Sequence, residues 1–554
     1  MAATATTLRR RRPGALVAAA LAATLGLVAC SSGDSGEPDA DGAAELECST
    51  ESVANEQWRA AEPVTFSMLW TDWPETPVTE QWQLFDEIER RTNVTLELTN
   101  IPFSDAVEKR SLLISAGDAP QIIPLIYTGD ERQFAASGAV VPLSDYVDYM
   151  PNFSHYVEEW ELGEMLDNLR QDDGRYYMTP GLQEVSVPVF SLIIRKDIFD
   201  EVGAPVPETW EDLQAGLELI KEQYPDSLPL ADGFEGASML NYASHAFGTV
   251  AGWGFGNGMW FDEDAGEFVY APTTDGYRSM VEYFRGLAAD GLLDTESFTE
   301  ANDGMGTVTE KFANETVFAA SGASGTVQEF ATALDAAGVT DYELVQIAPP
   351  GGEAGQVVEP RNFWNGFMLT ADAVEDPNFC DMLHFVDWLY YNPEAREMLQ
   401  WGIEDETYTT ADDGTISLMP DYTLGAYNLN PEGTIDIQTD LGFASNVLAG
   451  STESRTLKES YNQPQFVEYI DTVLSTRTPR DPFPRAPLTE AELEQASLLG
   501  TPLQDSVDTA TLEFILGRRD MSEWDSFLTE IESQGLSTYV DLVNGARERA
   551  ADQD

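Results

Sequence analysis

Apolar and polar positions first fall into a regular rhythm at residue 64. Val64, Phe66 and Met68 alternate with Thr65 and Ser67, the two-residue period of a half-buried strand. Trp82, Phe85 and Ile88 share one stripe of a helix that runs into Arg90-Arg91-Thr92-Asn93. Val94, Leu96 and Leu98 then alternate with Thr95, Glu97 and Thr99, predicting a second strand. Asp105 is placed to cap the next helix, which stops at Ala116-Gly117-Asp118. Ile122, Ile123, Leu125 and Ile126 form an unbroken apolar strand of the kind buried on both faces. This β-α-β-α-β series predicts an α/β body with a parallel sheet, helices on both faces and right-handed crossovers. Ligands in such sheets sit beyond the carboxyl ends of the strands. Trp70, Asp72, Trp73, Asp118 and Tyr127 occupy those ends.

A second α/β body is predicted from about residue 182. Val187, Val189, Leu192, Ile193 and Ile194 read as a strand ahead of Arg195, and Thr209-Trp210-Glu211-Asp212 starts a capped helix reaching Gln223. A helix over Tyr277 to Ala289 is closed by Asp290-Gly291. Phe312 to Ala320 reads as a return toward the first body, and Tyr342 to Ile347 as a further strand. Helices follow over Asn378 to Tyr391 and after Asn392, which caps with Pro393 in the first helical position. Thr489 and Glu492 form another capping box, and Trp524, Phe527, Leu528 and Ile531 make a late apolar stripe stopped by Gly535.

The N-terminus changes the picture of where this body works. Arg9 to Arg12 precede an apolar run from Gly14 to Ala29, too short for a membrane span, so residues 1–29 read as a secretory signal peptide. Leu27-Val28-Ala29-Cys30 resembles the lipobox of bacterial lipoproteins, which implies lipidation at Cys30 and an anchor on the outer face of the cell membrane. Residues 30–61, rich in Ser, Gly, Asp, Glu and Ala, read as a solvated tether.

Composition excludes several partners. The chain carries 97 acidic and 29 basic residues, a net charge of −68, and removing the four signal-peptide arginines takes this to −72. A surface this negative repels nucleic acid. Its plainest use is solubility in a salty exterior. Hydrophobic content of 43% is ample for real cores. His155, His245 and His384 are scattered and no CxxC occurs, so no metal site is expected. Cys380 sits among Phe379, Met382 and Leu383, which favours a buried free thiol over a bridge to Cys48. No cofactor motif is present: Gly254-Phe255-Gly256-Asn257-Gly258 lacks a strand leading into a helix, and neither GxxxxGK[ST] nor GxSxG appears.

Specific strings resemble a known family. Residues 195–213, Arg-Lys-Asp-Ile-Phe-Asp-Glu-Val-Gly-Ala-Pro-Val-Pro-Glu-Thr-Trp-Glu-Asp-Leu, are similar to a signature of family 1 extracellular solute-binding proteins. Ser115 to Pro120, Asp173 to Pro180 and Tyr283 to Asp294 resemble the same family in the same order, and the tail from Phe514 to Arg547 resembles an oligosaccharide-binding lipoprotein subgroup. The resemblance implies a two-lobed, periplasmic-binding-protein-like α/β fold of type II, each lobe a parallel-rich sheet flanked by helices. It also implies a monomeric receptor rather than an enzyme, closing on its ligand and delivering it to the permease subunits and separate ATPase of an ABC importer. The implied division is 62–181 for the first part of lobe 1, 182–310 for lobe 2, 311–345 for a return to lobe 1, and 346–554 for lobe 2 and a C-terminal helical region. Some relatives carry a calcium loop after the Thr-Trp helix. Here Glu222 to Pro229 is too short and too poor in oxygen ligands for one.

A neutral sugar is gripped by aromatic faces against its C–H surface and by planar polar groups against its hydroxyls. Trp70 and Trp73 flank Asp72, Trp253 and Trp260 bracket the Gly-rich turn, and Arg361, Trp364 and Asn365 precede the apolar strand Phe367-Met368-Leu369. With Asp118 and Tyr127, these are the candidate ligand-binding residues. Trp210, Trp388 and Trp524 lie in helical patterns and are assigned to the core. A secreted glycoside hydrolase and a surface adhesin are the alternative readings. Paired carboxylates are uninformative for the hydrolase in a chain this acidic.

Overall fold

The computed structural model describes residues 46–253, 258–299 and 304–552. The signal peptide and Cys30 lie outside these residues. In chain order, β1 (Val64–Asp72), α1 (Gln83–Thr92), β2 (Val94–Pro102), α2 (Ala106–Ala116), β3 (Ile122–Ile126), α3 (Arg132–Ala136), α4 (Pro151–Glu159) and β4 (Thr179–Leu182) open the first lobe. The second lobe is built from β5 (Ser191–Arg195), α5 (Trp210–Gln223), β6 (Leu230–Ala231), α6 (Ala237–Ala246), β7 (Ala319–Gly322), α7 (Ser324–Ala337) and β8 (Leu344–Gln346). Next come β9 (Val357–Val358), β10 (Phe363–Leu369), α8 (Phe379–Tyr391) and α9 (Pro393–Trp401), then α10 (Pro464–Thr476) and β11 (Thr478–Pro479). The chain ends in α11 (Glu490–Ile515), α12 (Trp524–Ser533) and α13 (Leu536–Ala551).

Local chemistry sets several of these boundaries. Asn93 ends α1 in the left-handed conformation that Asn tolerates, its N–H reaching the Glu89 carbonyl. Thr209 and Asp212 exchange the two bonds of a capping box at α5, as do Thr489 and Glu492 at α11. Asn392 accepts the N–H groups of Glu394 and Ala395 at α9. Asp105 does not cap α2: its carboxylate is taken by the Ser104 hydroxyl and by Lys109 at 3.3 Å.

Two sheets carry the architecture. The first runs β2-β1-β3-β10-β4, with β1 parallel to β2 and β3, and β10 antiparallel to both its neighbours. The second runs β8-β5-β7-β6, and only β6 and β7 are parallel in it. The expectation of a parallel-rich second sheet is therefore corrected. The chain crosses between the lobes after β4, between β8 and β10, and again before β11, which pairs with β9 alongside the second crossing.

The topology also corrects the lobe boundaries. Residues 311–345 do not return to the first lobe, because β7 pairs with β5 and β6. The return is made by β10, seated between β3 and β4. Much of the segment placed in lobe 2 thus packs into lobe 1, including Phe367, Trp388, Leu424 and Phe443. The three C-terminal helices pack on the second lobe, through Leu503 and Phe514 of α11, Trp524 and Ile531 of α12, and Tyr539 of α13. Trp210, Trp388 and Trp524 are buried as assigned.

The tether is shorter than its composition suggests. Cys48 is disulfide-bonded to Cys380 of α8, Ser49 donates backbone and hydroxyl hydrogens to Asp381, and Trp58 is buried edge-on to His384. Residues 46–61 are packed onto lobe 1 by these contacts, and Cys380 is not a free thiol. No described helix is long and apolar enough to cross a membrane.

Candidate functional site

The strand ends that meet between the lobes define the candidate site. Tyr127 follows β3, is 46% exposed, and stands edge-on to Trp364 at 5.5 Å and 86°. Trp364 lies in β10, and the Arg361 guanidinium covers its ring at 4.6 Å. Arg361 in turn pairs with Glu359 at 3.4 Å, and Glu359 accepts a hydrogen bond from the Asn241 amide on α6. Contact is therefore continuous from the first lobe, through the second crossing, to the second lobe. The Arg361 Nε and Asn241 Oδ1 atoms are buried without a hydrogen-bond partner among the described residues. Leaving such groups unpaired costs about 1–3 kcal/mol each.

A second cluster faces out from the other sheet. Trp253, 37% exposed, meets Phe190 at 5.0 Å and Phe234 at 5.1 Å, both edge-on. Phe190 immediately precedes β5 and Phe234 follows β6, so both rings stand at one end of the sheet. The turn after Phe234 holds Glu235 and Gly236 at φ 56° and 80°, and a Cβ at Gly236 would collide with the Phe298 ring at 2.5 Å. Trp260 belongs to a third group, edge-on to Phe483 at 5.3 Å, with the Arg480 guanidinium over Phe483 at 3.5 Å. Arg480 follows β11 and its N–H reaches the Val358 carbonyl, beside Glu359. Burial lowers its pKa to about 10, partly offset by Glu359. Its Nε, too, lacks a partner among the described residues. In a chain of net charge −68, two such arginines in one region are a local exception.

The remaining predicted residues fall elsewhere. Trp70 is 2% exposed and packed edge-on to Trp82 and Phe85, so it is a core residue. Asp72 accepts the Val78 N–H at 2.7 Å and pins the turn that carries Trp73. Trp73 stacks on Phe103 at 4.9 Å, and Phe103 is 55% exposed, which leaves an aromatic shelf at the end of β1. Asn365 is 5% exposed within β10, where its carbonyl faces Gly181 closely enough to exclude any side chain. Asp118 is exposed on the turn that ends α2, and no described contact brings it to the rings. The turn at 254–257 lies outside the described residues. Sequence reasoning missed Phe103, Phe190, Phe234, Asn241, Glu359 and Arg480.

Two features bear on metals. Cys48, Cys380 and His384 cluster, but the two sulfurs are bonded to each other and are not thiolate ligands. In the turn after α5, the Lys221 ammonium donates to the Ser227 carbonyl and the Ser227 hydroxyl to the Tyr224 carbonyl. A fixed cation already serves the Ser227 carbonyl.

Comparison with known proteins extends this picture. Residues 83–379 match the family model described as bacterial extracellular solute-binding protein. The chain is 24% identical over 486 residues to the fructooligosaccharide ABC transporter substrate-binding protein FusA of Streptococcus pneumoniae, covering 82% of this chain and 85% of the relative. It is 25% identical over 215 residues to the polygalacturonan/rhamnogalacturonan-binding protein YtcQ of Bacillus subtilis, covering 38% and 41%. Among solved structures, alginate-binding protein AlgQ2 without calcium ion superposes with a TM-score of 0.67 at 19% identity, over 89% of this chain and 99% of that one. FusA in complex with kestose gives 0.63 at 20% identity, over 88% and 100%. A family match across more than half the sequence, joined to a shared two-lobed fold, makes this chain a member of the bacterial extracellular solute-binding protein family.

Proposed function

We propose that this chain is the extracellular receptor of an ABC importer, anchored to the membrane through a lipid on Cys30, and that its ligand is an oligosaccharide held between the lobes. The observation that carries the reading is the unbroken series Tyr127–Trp364–Arg361–Glu359–Asn241, which joins both lobes through aromatic, guanidinium, carboxylate and amide groups. These are the groups that grip sugar faces and hydroxyls. The relatives named for fructooligosaccharide, polygalacturonan and alginate support the ligand class. The lipoprotein LipO of Bacillus subtilis, 26% identical over 243 residues, supports the anchor, and the Cys48–Cys380 disulfide suits an oxidising exterior.

Trp364, Tyr127 and Arg361 grip from the first lobe, and Trp253 and Asn241 from the second, with Trp73 and Phe103 extending the aromatic surface. Ligand bound to both lobes favours the closed arrangement by its differential affinity for it. Permease subunits and a separate ATPase complete the importer. The test is a calorimetric panel of kestose, alginate and galacturonan oligosaccharides, with chromatography of the ligand afterwards. Saturable binding of one class with the ligand recovered intact is expected. Cleaved ligand, or no binding across the panel, would remove the proposal. For the anchor, Cys30→Ser is expected to release the protein from membranes or leave it unprocessed.

A further inference from the structure

Strand β3 carries one residue more than the strand beside it. Against β10, Ile126 faces Gly366 and Pro124 faces Phe367, so Leu125 is an insertion, a β-bulge. Its φ is 58°, in the left-handed region that a leucine adopts only where its surroundings hold it there. The side chains record the same insertion. Ile122 shares one core with Phe66, Met68 and Leu369, and Ile123 shares the core on the other face of the sheet with Ile114 and Met368. Strict alternation would put Leu125 with Ile123 and Ile126 with Ile122. Instead Leu125 packs with the Ile122 core and Ile126 with the Ile123 core. An inserted residue exchanges the faces of everything after it. Without the bulge, alternation would point Tyr127 to the face covered by Ile114 of α2 and Phe134 of α3; with it, Tyr127 stands edge-on to Trp364.

A buried arginine holds the inserted residue. Arg110 of α2, 7% exposed, donates from Nη1 to the Leu125 carbonyl at 2.9 Å and from Nη2 to the Asp130 carboxylate at 3.0 Å. Asp130 closes the turn that carries Tyr127: its N–H reaches the Tyr127 carbonyl at 3.0 Å, and its carboxylate accepts the Tyr127 N–H at 3.4 Å. Glu131, 1% exposed, steadies the tip of the turn by accepting the Gly129 N–H at 2.6 Å and the Gln171 amide at 3.2 Å. One planar guanidinium therefore ties the chain just before Tyr127 to the chain just after it, a geometry that a single ammonium cannot reproduce.

We propose that Arg110 is a positioning residue of the ligand site: by clamping the Leu125 bulge to the Asp130 turn, it sets the direction in which Tyr127 meets Trp364. The inference rests on the reading of these two rings as ligand-facing, and its first test needs no ligand. The full chain is labelled with 5-fluorotryptophan, and the Trp364 and Trp524 fluorine signals are identified by their loss in Trp364→Phe and Trp524→Phe. Tyr127→Ala is expected to move the Trp364 signal, Arg110→Met to move it as well, and Arg110→Lys, which keeps one charged donor, to move it less. The signal of Trp524, in the second lobe, should stay in place and reports that the variant is folded. A Trp364 signal unmoved in folded Arg110→Met would overturn the proposal. If Arg110→Met does not fold, Asp130→Ala, at the partly exposed end of the clamp, carries the same test with the same refuting result. Calorimetric titration of kestose is the second test. Arg110→Met should weaken binding about fivefold or more, and should add nothing in a Tyr127→Ala background, since the two act through one ring. Equal weakening with and without the Tyr127 ring would overturn the positioning role. Failure of the parent chain to bind kestose bears on the oligosaccharide reading alone, because the fluorine shift decides the clamp without it.

Discussion

Replacing Trp364 and Trp70 by alanine separates a ring proposed to face the ligand from one that holds the fold. Trp364 is half-buried and touches two partners, the Arg361 guanidinium at 4.6 Å and the Tyr127 ring at 5.5 Å. An exposed cation–π contact contributes about 0.5–1 kcal/mol and an aromatic pair about 0.5–1.5 kcal/mol. Trp364→Ala should therefore lower apo stability by about 1–2.5 kcal/mol. Losing a stacking surface for the ligand should cost a further ~1–3 kcal/mol of binding, roughly a 5- to 150-fold weakening. Trp70 is 2% exposed between Trp82 and Phe85, so Trp70→Ala should lower stability by about 3–5 kcal/mol. Affinity per folded molecule should change little in that variant. The measurement is denaturant unfolding without ligand, paired with calorimetric titration of whichever oligosaccharide the panel retains. If Trp364→Ala binds within about twofold of the parent, or if Trp70→Ala abolishes binding with an unchanged unfolding midpoint, the assignment of the two rings is wrong.

Three further outcomes are expected. Cys48→Ser opens a cross-link spanning 332 residues, for which chain entropy alone allows about 5–6 kcal/mol, so a large fall in melting temperature should follow, matched by Cys380→Ser. Asp387 accepts N–H groups from Asn152 and Phe153, yet burial raises its pKa to about 7. A raised folded pKa gives stability that is present below about pH 4 and lost as pH rises through 7, so Asp387→Asn should flatten the pH dependence of unfolding between those limits. Treatment with a chelator should leave the melting temperature unchanged, because the Lys221 ammonium already serves the Ser227 carbonyl; a chelator-sensitive shift that Lys221→Met relocates would contradict this.

The elements of the first lobe were legible because one face of each is buried, and burial writes itself into period. The same rule identified more than was drawn from it. Val64, Phe66 and Met68 continue to Trp70 at a spacing of two, so Trp70 lies on the buried face of β1, while Trp73 stands beyond the strand. Partner choice was not legible. Phe312 to Ala320 and the apolar run of β10 carry similar patterns, and periodicity reports burial without saying which sheet supplies it. The ring cluster of Phe190, Phe234 and Trp253 is drawn from three segments that only the folded lobe brings together. The disulfide joins residues 332 apart, with nothing local to signal the pairing.

That bond also decides which half of the molecule is held. If Cys30 carries the proposed lipid, a pull from the membrane would pass along the chain to Cys48 and enter lobe 1 covalently at Cys380, bypassing the packing of Trp58 and its neighbours. Lobe 1 is then the moored half. Lobe 2 is joined to it through the three crossings, so the proposed opening and closing would be the swing of lobe 2 against a fixed post, and the permease in the membrane would meet one face that keeps its bearing and one that turns.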